Sequence, residues 1–173
     1  MSFRIVTEDT EDTEDTKDNE DTKNTKITFI DLLNECPDIS TANEVRSIAD
    51  ALGVNSTLLK LNIKGNKIGS DGARAITEAL RINSTLQSLN LELNNIGKEG
   101  TSVIAEVLRI NSTLQSLNLS VNLMEAEGAR AIAEALRVNS TLHMLVLGSN
   151  DVGSNEENEI RESWGDRVGT LTI

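Results

Sequence analysis

The sequence predicts an α/β repeat array preceded by an acidic, disordered tail. Three observations predict it. The tetrapeptide NSTL starts at Asn55, Asn83, Asn111 and Asn139, always 28 residues apart. The eleven residues RINSTLQSLNL occur twice, letter for letter, at Arg81–Leu91 and Arg109–Leu119. Residues 8–28 read as the triplets EDT, EDT, EDT, KDN, EDT, KNT and KIT. A fixed period of this length marks units that cannot hide their own apolar face and must stack to bury it.

Each unit contains a strand pattern. Aligned on the leucines, the first copy is Leu58, Leu61, Ile63 and Asn66. The second is Leu86, Leu89, Leu91 and Asn94, the third Leu114, Leu117, Leu119 and Asn122, and the fourth Leu142, Leu145, Leu147 and Asn150. The i, i+2 alternation at the end of each copy is a short strand with one buried face. A turn then leads into a helix, with Gly72, Gly100 and Gly128 near the helix starts. The expected buried helix face is Ala73, Ile76, Ala79 and Leu80, repeated as Thr101, Ile104, Val107, Leu108 and as Ala129, Ile132, Ala135, Leu136. These spacings of three and four residues place the side chains on one side of a helix. Arg74–Glu78 and Arg130–Glu134 are expected to pair along the other side at i, i+4. Asn83, Asn111 and Asn139 follow the helices, where a left-handed cap would suit asparagine.

Both ends depart from the repeat. Upstream, Val45, Ile48, Ala51 and Leu52 match the helix face shifted by one period, with Thr41-x-x-Glu44 as a capping box. Before them, Phe29, Ile30, Leu32 and Leu33 read as a short helix stopped by Pro37. Downstream, Ser154-x-x-Glu157 opens a helix through Trp164, Gly165 stops it, and GTLTI follows as an edge strand. Trp164 is expected to seal the last coil. The division is therefore 1–28 tail, 29–57 N-terminal cap, 58–85, 86–113 and 114–141 repeats, and 142–173 last repeat with C-terminal cap. On this reading the array is finished at both ends.

The four copies with their terminal Asn66, Asn94, Asn122 and Asn150 resemble the leucine-rich repeat, in the 28-residue form of ribonuclease inhibitor. The resemblance implies a right-handed solenoid or horseshoe segment, with a parallel sheet on the concave side and helices on the convex side. It also implies that the asparagines form a buried structural ladder. Members of that family, such as ribonuclease inhibitor, the Ran GTPase-activating protein, the tropomodulin C-terminal domain and NOD-like receptor sensors, engage macromolecules.

Composition narrows the function further. The chain has 173 residues and a net charge of −12, of which −5 falls within residues 1–28. So acidic a chain repels nucleic acid and anionic membranes. From Thr7 to Thr28 the only apolar residue is Ile27, too little to offset the entropy of ordering. The threonines flanked by acids are candidates for phosphorylation, which would add charge. Aromatics make up 2% of the chain, so its core must be Leu, Ile, Val and Ala. The single cysteine, Cys36, forms no internal disulfide, which fits a reducing compartment. No signal core or spanning run is present, so a cytoplasmic protein is expected.

Catalytic signals are lacking. His143 is the only histidine, with no second His or Cys to complete a metal site. It occupies the column of Gln87 and Gln115, at a strand end. No phosphate-cradling or nucleophile motif is present. No catalytic residue, cofactor or metal is assigned. The expected binding residues are the outward strand positions: Lys60, Asn62 and Lys64, then Ser88, Asn90 and Glu92, then Ser116, Asn118 and Ser120, then Met144 and Val146, with Gly148 beside them. They pass from basic through polar to apolar. The expectation is a monomeric, non-catalytic adaptor that binds a protein partner on this concave face. The alternative is a cytoskeletal, tropomodulin-like actin-binding role or small-GTPase regulation.

Overall fold

A computed structural model describes residues 28–32 and 42–173. The tail, Leu33, Pro37 and the Thr41 capping position lie outside the described residues. Strands and helices alternate in the order β1 Phe29–Asp31, α1 Ala42–Val54, β2 Lys60–Asn62, α2 Gly69–Ile82, β3 Ser88–Asn90, α3 Gly97–Leu108, β4 Ser116–Asn118, α4 Glu125–Leu136, β5 Met144–Val146, α5 Ser154–Trp164 and β6 Thr170–Thr172. The six strands form one parallel sheet in sequential order β1 to β6. Each helix is the return path from one strand to the next. The helices form the second layer, each packed on its neighbours along the array. The fold is thus a solenoid, with the sheet on its concave side and helices on its convex side.

The core lies between the layers. The central residue of each inner strand, Leu61, Leu89, Leu117 and Leu145, is buried, and so are Ile76, Ile104 and Ile132 on the helices. The expected helix faces are buried in α2, α3 and α4. Gly100 shows how closely helices approach: a Cβ there would lie 2.5 Å from Ile96 Cγ2 and 3.1 Å from the Ser70 backbone of α2. At the C-terminal end, Trp164 is 6% exposed and closes the last coil. The Arg167 guanidinium sits 5.4 Å from the centre of its ring, a cation–π contact.

Turns and helix ends carry backbone groups that neither ladder satisfies. One column of buried asparagines serves the turns after the strands. The Asn94 amide donates to Leu91 O and, one coil back, to Ile63 O, both at 2.9 Å. Asn122 donates to Leu119 O at 3.0 Å and Leu91 O at 2.8 Å, and its Oδ1 accepts from the Asn94 N–H at 2.9 Å. Asn150 repeats this with Leu119, Leu147 and the Asn122 N–H. Every rung therefore ties one coil to the next.

A second asparagine column serves the helix ends, and it corrects one expectation. Asn83 is extended, with φ −71° and ψ 128°, not left-handed; Asn111 and Asn139 likewise have no positive φ. They cap with side chains instead. Asn83 Nδ2 donates to Leu52 O at 2.8 Å, and its Oδ1 accepts from the Thr85 and Leu86 N–H groups at 3.0 and 2.8 Å. Asn111 and Asn139 donate to Leu80 O and Leu108 O in the same way. One coil further, Arg167 takes the donor role, from Nη2 to Leu136 O.

Three further expectations are corrected. Phe29–Asp31 is a strand paired with β2, not part of a helix. In α1 it is Ala49 that is buried, while Ala51 is exposed; with Val45 and Leu52 the buried stripe runs at i, i+4 and i+7, which turns Ala51 to solvent. The expected Arg74–Glu78 and Arg130–Glu134 pairs do not form; Arg130 reaches Glu156 on the next helix at 2.5 Å and Arg109 reaches Glu134 at 4.0 Å, while a pair along one helix occurs in α5, Arg161 with Glu157 at 4.0 Å. The C-terminal helix and edge strand form as expected, with Gly165 at φ 60°.

Asn94→Leu and Asn122→Leu should each lower stability by about 1–3 kcal/mol, because each orphans buried backbone groups. Urea melts overlaying that of the unmutated protein would show that the ladder carries no such load. Gly169→Ala should detach β6, since a Cβ there would sit 2.0 Å from the His143 carbonyl oxygen. Leu147 N–H donates to Thr172 O. The expected result is faster hydrogen exchange at Leu147, with the inner strands unchanged.

Candidate protein-binding surface

Parallel pairing in register turns the outward strand positions into rows. One row is Phe29, Lys60, Ser88, Ser116, Met144 and Thr170; a second is Asp31, Asn62, Asn90, Asn118, Val146 and Thr172. The expected concave residues of β2 to β5 therefore do come together on one face. Lys64, Glu92, Ser120 and Gly148 continue it two residues beyond each strand. Phe29, Asp31, Thr170 and Thr172 also belong to the rows. The first two are not legible in the sequence because the spacing of Phe29, Ile30, Leu32 and Leu33 suits a helix, and the last two lie beyond the repeats.

Much of the polar chemistry on this face is satisfied internally. Glu92 is its hub. One carboxylate oxygen pairs with Lys64 Nζ at 2.7 Å and the other accepts from Asn118 Nδ2 at 3.2 Å. Asn62 Nδ2 donates to Asp31 at 3.1 Å. The Oδ1 atoms of Asn62, Asn90 and Asn118 accept from the Lys64, Glu92 and Ser120 N–H groups, closing a small turn after each strand. These asparagines are turn formers as well as surface. Among the described residues, the Asn90 side-chain amide donates no hydrogen bond. Exposed apolar surface sits at the other end of the face, where Met144 is 45% exposed and Val146 is partly so.

Apolar residues are also exposed off the face. Leu93, Val121 and Leu123 lie in the turns after the strands, with φ of 59°, 56° and 57°. Val54, Ile82, Ile110 and Val138 are exposed at the helix ends. The latter share one column of the repeat, just before each NST, and comparing columns across coils reveals them. On the convex side Lys98 lies 3.4 Å from Glu127, whose carboxylate raises the lysine's affinity for its proton. Glu127 is well exposed and Lys98 partly so, so solvent screens the pair. His143 is exposed, its Nδ1 2.5 Å from the Thr141 carbonyl. Among the described residues, no three His, Cys, Asp or Glu side chains gather in a way that would hold a metal ion. None of the described helices is long and apolar enough to cross a membrane.

The NST units are formally glycosylation sequons. In the folded chain, Asn83, Asn111 and Asn139 are 5%, 9% and 5% exposed with their amides engaged. An acceptor nitrogen so placed is closed to modification.

Comparison with known proteins agrees with this architecture. A family model described as the leucine-rich repeat matches residues 54–76, 83–105 and 111–133. No curated protein matches the chain. Among solved structures, the chain is similar to leiomodin-1 actin-binding site 2, with a TM-score of 0.71 and 24% identity, over 80% of this chain and 79% of that one. It is also similar to the tropomodulin C-terminal domain of Caenorhabditis elegans, with a TM-score of 0.58 and 16% identity, over 71% and 74% of the two chains. At such identities the likeness speaks for the fold alone. Three leucine-rich repeats thus match between residues 54 and 133, and the fold is the leucine-rich-repeat solenoid.

Proposed function

We propose that the chain is a non-catalytic interaction module that receives a protein partner on its concave face. One observation carries this reading. The buried columns are nearly invariant from coil to coil, whereas the concave rows change from Lys60 and Asn62, through Ser88, Asn90, Ser116 and Asn118, to Met144 and Val146. Packing demands the first; nothing in packing demands the second. Met144 and Val146 offer burial, and the Lys64–Glu92–Asn118 network presents a fixed polar pattern beside them. Lys64 is neutralised locally by Glu92, so it serves orientation more than long-range steering. We place the module in the ribonuclease-inhibitor-like type on its 28-residue period, and in the cytoplasm as a monomer.

The likeness to leiomodin-1 actin-binding site 2 supports a second reading, in which the partner is actin. Both are addressed by one set of proteins. The unmutated chain, Val146→Asp and Glu106→Lys are each used as bait, and each is also sedimented with filamentous actin. The expected result is a partner retained by the unmutated chain and by Glu106→Lys and lost by Val146→Asp. If Glu106→Lys abolishes retention while Val146→Asp leaves it intact, the helical side is the functional one. Sedimentation with actin that depends on Val146 would identify the partner of the second reading.

A further inference from the structure

One apolar column is exposed at the ends of the first four helices. Val54 is 85% exposed, Ile82 70%, Ile110 61% and Val138 57%. They stand at or just after the ends of α1 to α4 and mark one rim of the solenoid. Ile82 and Ile110 lie in the two identical blocks, so their agreement is inherited from a copied segment. Val54 and Val138 lie outside those blocks and are still β-branched and apolar. Ile82 leans on Gly53 of the preceding helix, but most of each side chain faces solvent, and a row of them at successive coils is a docking feature.

Two further columns run beside it. Arg81, Arg109 and Arg137 precede the apolar residues. Arg81 and Arg109 make only long, exposed pairs, at 3.6 Å to Glu106 and 4.0 Å to Glu134. Arg137 makes no ion pair among the described residues. On the other flank, Ser56, Ser84, Ser112, Gln87 and Gln115 line an open groove rich in hydrogen-bond donors. The rim is thus apolar, basic and donor-rich within an otherwise acidic chain.

Thr28, where the tail ends in sequence, sits in that same groove. Its carbonyl accepts from the Leu59 and Lys60 N–H groups at 2.8 and 3.0 Å. What precedes Thr28 is complementary in composition: Phe3, Ile5 and Val6, followed by the acidic triplets from Glu8 onward. We propose that this rim is the docking site of the chain's own N-terminal segment. Phe3, Ile5 and Val6 cover the apolar column, and the carboxylates of Glu8 to Asp15 lie beside Arg81, Arg109 and Arg137. The length suffices. With Glu8 to Asp15 on the rim, the linker from Thr16 to Ile27 has an r.m.s. reach of roughly 19 Å, whereas four coils cover at least roughly 15 Å at the sheet spacing. Tethering also gives an effective concentration of about millimolar, so weak contacts are occupied. A second copy is a poorer occupant, because it would bring one arginine column against another. This site is separate from the concave face and does not rest on the reading of that face.

The test uses the full chain. Ser2→Cys, with Cys36→Ser to leave one thiol, carries a nitroxide, and amide signals of the isotope-labelled protein are compared before and after reduction of the nitroxide. Expected is intensity loss concentrated at residues 54–56, 82–84 and 110–112. It should vanish in Ile82→Asp/Ile110→Asp, whose far-UV circular dichroism should match the parent, and shrink in about 0.5 M salt through screening. Ile110→Asp alone, at a 61% exposed position, gives a second reading if the double variant folds poorly. A mixture of nitroxide-bearing, unlabelled chains with isotope-labelled chains lacking the nitroxide should show no loss. Loss in the mixture would assign the rim to a second copy and overturn the proposal. Absent or uniform loss, loss on residues 88–92 and 116–120, or loss unchanged in both variants would overturn it as well.

Discussion

The constraint on which the structure depends is the satisfaction of backbone groups wherever the chain leaves one layer for the other. Every coil has two such places, one after the strand and one after the helix, and both are buried. A short side chain with a donor and an acceptor on the same planar group meets the need, which is why asparagine recurs in two columns. Leucine in its place would keep the volume and forfeit the bonds. The donors reach back one coil, so stacking is enforced by hydrogen bonds as well as apolar contact. At the C-terminal end the column ends in Arg167, which can donate but not accept. The guanidinium keeps the donor role toward Leu136 and adds a stacking role over Trp164. At the other end, Asn66 Oδ1 has no partner among the described residues.

The repeats were legible because periodicity and chemistry coincide in them. The columns from Leu58, Leu61 and Ile63 locate the strands, and the columns from Ala73 and Ile76 locate the buried helix faces. The caps were less legible because their periods differ. From Phe29 to Lys60 the register step is 31 residues, and from Met144 to Thr170 it is 26, against 28 between the inner strands. A template of fixed length cannot place Ile30 opposite Leu61, and the spacing of Phe29, Ile30, Leu32 and Leu33 suits a helix when read alone. The positions of the asparagine caps are legible but their conformation is not: Asn tolerates a left-handed backbone, yet here side-chain capping removes the need for one. The concave rows follow from strand alternation. That Lys64, Glu92 and Asn118 form one network follows only from the register.

Strain is unevenly distributed along the array. Each turn after a strand has a left-handed residue at alternate positions: Gly65, Lys67 and Gly69; then Leu93, Asn95 and Gly97; then Val121, Leu123 and Glu125. The first two turns place glycine or asparagine at two of the three positions. The third has neither, and its first residue is β-branched, the least tolerant kind. Such residues cost on the order of 1–3 kcal/mol each and persist only where their surroundings over-determine the conformation. Asn122 lies within that turn and ties it to both neighbouring coils, its side-chain amide donating to Leu91 O of the preceding coil and its backbone N–H to Asn150 Oδ1 of the following one. The ladder therefore holds strained, exposed apolar side chains in place, and their repacking into the core is barred by the same bonds.

These features divide the surface into parts with different capacities. The concave face is polar over most of its length and much of that polarity is already paired, so association there exchanges few hydrogen bonds. On the proposed reading, the energy of association would come from Met144, Val146 and the shape of the sheet, at the C-terminal half of the face. The helical side is covered by exposed charge pairs such as Arg81–Glu106 and Lys98–Glu127, which are screened and contribute little to recognition. The rims are where apolar area is large and unpaired, on one side Leu93, Val121 and Leu123, on the other Val54, Ile82, Ile110 and Val138. Because a solenoid lengthens by repetition, any residue placed on a rim in one coil is propagated into a ridge by copying. Duplication of the eleven-residue block thus multiplied a single exposed isoleucine and its arginine into adjoining coils. A ridge of that kind suits an extended segment lying across the coils, whereas the concave face suits a globular partner seated within the curve.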